Sequence, residues 1–90
     1  MLIQWLGVKM RLPISIEVTG GDDRDYKDLI EKLVGDKMIA LPIGSRGRDI
    51  MVIQGEDILP INQQASQIAG RPLVGDVVIL ASDDWKQVTR

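Results

Sequence analysis

The sequence predicts a single small α+β domain, on three observations. Residues 14–35 read as strand, turn, helix and helix stop in unbroken order. Two short apolar stretches separated by Gly44-Ser45-Arg46-Gly47 follow. Val77 to Ala81 is then an uninterrupted apolar run of strand length. One main helix laid against a four- to five-stranded mixed sheet accommodates all three.

In chain order, Leu2, Leu6, Val8 and Met10 share one parity. Ile3, Trp5 and Lys9 share the other, which predicts a first strand over 2–10, buried more on its even side. Pro13 donates no hydrogen bond and biases Leu12 toward an extended backbone, so a tight connection to the next strand is expected there. Ile14, Ile16 and Val18 alternate with Ser15, Glu17 and Thr19 in the period of a half-buried strand. Gly20 and Gly21 break it. Asp22 or Asp23 then caps a helix whose Tyr26, Leu29, Ile30, Leu33 and Val34 form one apolar stripe, and Gly35 ends it.

Met38 to Ile43 reads as a brief strand at an edge or ending at Pro42, and Asp49 to Gln54 as another strand. Gly55-Glu56-Asp57 closes the latter with a turn. Pro60 opens one or two helical turns near Ile61, Ala65 and Ile68, and the polar Asn62-Gln63-Gln64 argues for a short element. The 77–81 run wants cover on both faces, which places it at the sheet centre. Residues 83–90 read as a polar tail carrying Trp85.

Composition removes much chemistry. Ninety residues make one domain, 1–90, which buries only somewhat over ~60% of its unfolded surface. Without cysteine there are no disulfides, thiolate metal sites or cysteine nucleophiles, and without histidine the commonest general base is missing. The expectation is no enzyme activity, no cofactor and no metal. A net charge of −2 supplies no global field for nucleic acid or an anionic membrane. Residues 1–10 are too short and interrupted for a signal or membrane segment, so a cytoplasmic protein is expected.

Two charged constellations invite functional readings. Asp22, Asp23, Asp25 and Asp28 lack the residue order of a calcium loop, and acids at a helix start are expected from the helix dipole alone. Gly44, Ser45, Arg46, Gly47 and Arg48 form a candidate anion-binding turn, its N–H groups and two guanidiniums facing a phosphate or carboxylate. The turn lacks the spacing and lysine of a P-loop, and a solvated hairpin tip is its plainer reading. Asp83-Asp84-Trp85 reads either as a docking segment or as a frayed end.

Three segments carry a family resemblance: Ile14 to Val18 running through glycines into the helix, Ile50 to Asp57, and Leu-Val-Gly-Asp-Val-Val-Ile-Leu-Ala at Leu73 to Ala81. With the element order, they resemble the ubiquitin-like β-grasp superfamily, most of all the small sulfur-carrier proteins of molybdopterin and thiamine synthesis and the ubiquitin-related modifiers. The resemblance implies a protein-binding scaffold. It also implies action through a C-terminal Gly-Gly, and this chain ends Asp84-Trp85-Lys86-Gln87-Val88-Thr89-Arg90, without one. The alternative fold is ferredoxin-like with an extra N-terminal strand, and the length of the helix near Pro60 separates the two.

Both parities of strands 49–54 and 77–81 are apolar, yet one good helix covers only one face. The other face, assigned Met51, Ile53, Val78 and Leu80, is therefore expected to bind a protein partner or a second copy of the chain, the alternative being that the N-terminal strand, the tail with Trp85 or the 58–70 segment folds over it. The functional expectation is a non-catalytic interaction module acting through a sheet face or edge. The alternative is an accessory or carrier subunit of a partner enzyme, sulfur-carrier-like but without the catalytic tail.

Overall fold

The computed structural model describes residues 1–20, 23–55 and 59–89, with 23 and 24 described by backbone alone. Five strands, β1 (Leu2–Leu6), β2 (Ile14–Glu17), β3 (Met38–Ile43), β4 (Asp49–Gln54) and β5 (Val77–Ala81), form one sheet in the order β2-β1-β5-β4-β3. Three helices accompany them: α1 (Asp23–Val34), α2 (Gln63–Ala69) and α3 (Ser82–Val88). The architecture is α+β with β5 central, as expected. The sheet is not mixed, since its four strand pairings are all antiparallel. Part of the expected turn at Gly55-Glu56-Asp57 lies outside the described residues.

The first strand is shorter than its parity pattern suggested. The chain turns where the Met10 N–H donates to the Gly7 carbonyl at 3.1 Å, and Gly7 is buried so tightly that a Cβ there would lie 3.0 Å from the Met10 side chain. Burial along β1 is not confined to the even side either: Ile3 and Leu6 are both fully buried while Leu2 is exposed. A strand with a helix over each of its faces is asked for apolar residues of both parities.

Helix α1 occupies the expected residues. Its Ile30 and Val34 are buried and Tyr26, Leu29 and Leu33 pack half-buried around them. Because β2 and β3 lie at opposite edges, α1 crosses the sheet from one edge to the other. It ends at Gly35, whose φ of +118° is unfavourable for other residues; a Cβ there would also collide with the Gln54 side chain, which donates from Nε2 to the Val34 carbonyl at 3.3 Å.

Two departures concern the helices. Residues 82–88 are not a loose tail: α3 leaves β5 directly, and its Val88 is buried and Trp85 half-buried in the same cluster as Ile30 and Val34. Helix α2 is only seven residues long and packs Ala65 against Leu6, Met51, Ile53, Val77 and Ile79, on the face opposite α1. The long second helix that a ferredoxin-like order needs is therefore not formed.

Candidate interaction surface

Register decides which side chains share a face. In the β4–β5 pair, Ile50 lies opposite Leu80, Met51 opposite Ile79 and Val52 opposite Val78. Alternation then puts Ile50, Val52, Val78 and Leu80 under α1 and α3, and Met51, Ile53, Val77 and Ile79 under α2 and Leu73. The four residues expected on a bare face are thus divided between two faces. Met51 and Val78 are at 0% exposure, Ile53 at 5% and Leu80 at 2%, all covered by the chain itself. They form core, not a binding surface. The sequence offers one strong covering helix and one doubtful one near Pro60; the doubtful one forms as α2 and covers the second face, while the expected tail forms a third helix over the first.

The cover over the second face is incomplete. Helix α2 is short and fixed at its start by Asn62, so it shields only the end of the sheet holding Leu6, Val77, Met51 and Ile53. At the other end, β2 to β3 contribute one row across the sheet: Glu17 opposite Leu2, Ala81 opposite Asp49, and Ile43 beyond. Leu2 and Ala81 become neighbours by continuing the pairing of Ile3 with Leu80. Glu17, Leu2, Ala81 and Asp49 are exposed and Ile43 is half-buried. The next row adds exposed Ser15 and Gln4 beside Ile79, which is buried at 9% exposure. Within this bare end lies a hollow of about 260 Å³ lined by Leu2, Gln4, Asp49, Ile79, Ala81 and Asp84, with Leu80 also touching it. Sequence reading missed the surface, although the polar alternates of the second strand, Ser15 and Glu17, and Gln4 in the first were a signal that this end meets solvent.

Both sheet edges are blunted by proline. Met1 and Val18 exchange two backbone hydrogen bonds, of 2.9 and 2.8 Å, so bonded pairs fall at odd positions of β1. Ser15, Glu17 and, at the head of β2, Pro13 therefore turn their backbone groups outward. On the opposite edge, the Gly55 N–H donates to the Lys37 carbonyl at 3.0 Å, which by the same alternation turns Met38, Ala40 and Pro42 outward. A proline in each outward row removes a donor that an added strand would need.

The hairpin tip is a 3-10 turn over Ser45–Gly47, with Gly44, Arg46 and Gly47 at φ of +76°, +59° and +64°. The N–H groups of Gly47 and Arg48 donate inside the turn, to the carbonyls of Gly44 and Ser45, each at 3.3 Å. Arg46 and Arg48 are exposed, and the Arg48 carbonyl accepts the Ser82 N–H at 2.8 Å, tying the tip to α3. Two donors the anion-binding reading relies on are thus already engaged. Of the four clustered acids, Asp22 and the side chain of Asp23 lie outside the described residues. Among the described residues no group of acidic side chains is placed to hold a metal ion.

Asn62 is the polar residue that sequence reading undervalued. Only 1% exposed, it donates from Nδ2 to the carbonyls of Leu6 and Gly75, both at 2.9 Å, while Oδ1 accepts the Ala65 N–H at 3.0 Å and caps α2. An Asn directly before a short helical segment was the available sign. No described helix is long and apolar enough to cross a membrane. Searches of protein-family models, characterised proteins and solved structures found no match to this chain.

Proposed function

We propose that this chain is a non-catalytic protein-interaction module that docks its partner on the bare end of the second sheet face. The observation that carries the reading is the row Glu17, Leu2, Ala81, Asp49 and Ile43, to which all five strands contribute and which none of the described helices covers. A rigid sheet holds these side chains in fixed register, so a partner meets a preformed surface rather than one it must order. Blunted edges leave a face as the better docking route.

Kinship with the ubiquitin-like β-grasp superfamily belongs to the same proposal. A hairpin opening, one long helix crossing the sheet and a central β5 support it; the wholly antiparallel sheet departs from the mixed one expected of it. The carrier-subunit alternative is less well supported, because residues 82–88 are folded into α3 and its Val88 is buried in the core. A carrier would have to present that segment extended.

Photo-crosslinking tests the docking reading. A benzophenone amino acid at Gln4, inside the bare end, is expected to yield one defined heterologous adduct in cells, and the same group at Gln67, on α2, is expected not to. Equal adduct patterns from the two positions, or none from Gln4, would overturn it.

A further inference from the structure

Resting on the docking reading, we propose that the partner presents a cationic amphipathic segment, with lysine or arginine side chains entering the hollow between Asp49 and Asp84. Three elements contribute a carboxylate to this one end of the sheet: Glu17 from β2, Asp49 from β4 and Asp84 from α3. None of the three carboxylate groups accepts a hydrogen bond or pairs with a cation among the described residues. Asp49 and Asp84 line the same hollow of about 260 Å³, whose floor includes Leu2, Ile79 and Ala81.

Apolar floor and acidic walls match the two halves of a long basic side chain. Its methylene stem packs on Leu2 and Ala81 while its charged head meets the carboxylates, the arrangement lysine and arginine adopt wherever apolar surface adjoins charge. A cation between two carboxylates that line one hollow is attracted by both, and since Asp49 is exposed and Asp84 only half-buried, salt screens that attraction. The same charges oppose a second copy of the chain docking face to face, since like carboxylates would then be juxtaposed.

The probes are three short peptides that alternate leucine with lysine, with glutamine or with glutamate, titrated into the full chain by isothermal calorimetry and by amide chemical shifts. The lysine peptide is expected to bind, to shift the Gln4 and Ala81 amides, and to weaken as salt rises. The variants Asp49→Asn with Asp84→Asn, and separately Glu17→Gln, are checked by thermal melts; the double variant is expected to cost at least roughly tenfold in affinity, about 1.4 kcal/mol. Equal binding of the glutamine peptide would overturn the cationic partner while leaving the docking reading intact. Absence of binding by all three, or lysine-peptide shifts confined to other surfaces, would overturn the cationic partner too, and the Gln4 crosslink then decides the docking reading separately. A dimer in sedimentation equilibrium that is abolished by Leu2→Lys would overturn it in favour of a second copy.

Discussion

Asn62 does at the scale of one residue what a longer loop would otherwise need several to do. It joins the end of β1, the start of α2 and the Gly75 turn through one buried amide. Replacing it by alanine removes a helix cap and the side-chain donor to the Gly75 carbonyl, and takes from the Leu6 carbonyl one of two donors, the other being the Val77 N–H across the β1–β5 pair. Since a lost cap costs about 1 kcal/mol and an unsatisfied buried group about 1–3, Asn62→Ala is expected to lose at least about 2 kcal/mol in denaturant melts. A loss under about 1 kcal/mol would mean water reaches those carbonyls. The Trp5 indole N–H is the opposite case, a buried donor with no partner among the described residues. The sequence displayed Asn62 as part of a polar run and gave no sign of its burial, because satisfaction of an amide depends on carbonyls distant in the chain, at Leu6 and Gly75.

Among the elements, those with strong local patterns were the legible ones. The stripe from Tyr26 to Val34, bounded by acids and Gly35, located α1 and its end, and the 77–81 run indicated the central strand. Helix α3 was illegible for a physical reason. It follows β5 without a turn, its N-terminal Ala81 offers no capping side chain, and only Trp85 and Val88 face the core. Its stability comes from packing under α1 rather than from propensity. Val88→Asp is accordingly expected to unfold α3 and lower the melting temperature markedly, because burying an unpaired carboxylate is strongly unfavourable. Unchanged melting would return residues 82–88 to the status of a tail. The hairpin tip contrasts with this: exposed Arg46 and Arg48 replaced together by alanine should change stability by no more than about 0.5 kcal/mol, and a larger loss in thermal melts would reveal contacts the exposed geometry does not show.

For the whole molecule, the pairing of strands with faces was only half visible in the sequence. Alternation showed that β4 and β5 are apolar on both sides, but counting helices from sequence left one side uncovered, and the folded chain covers it with α2 and Leu73. What remains open to solvent is set by the length of α2, which no local pattern dictates. The strand order has a mechanical consequence as well. Leu2 and Ala81 lie side by side at one end of the antiparallel β1–β5 pair. Tension applied through positions 1 and 89 first draws off α3 and then meets β1 and β5 at that shared end, so their hydrogen bonds break one rung after another instead of sharing the load. The protein should open like a zip under low force, whereas tension through positions 6 and 81, at opposite ends of the pair, shears all rungs together. Optical-tweezer unfolding with handles at the two sets of positions would show a much higher rupture force for the second, and equal forces would contradict the observed pairing.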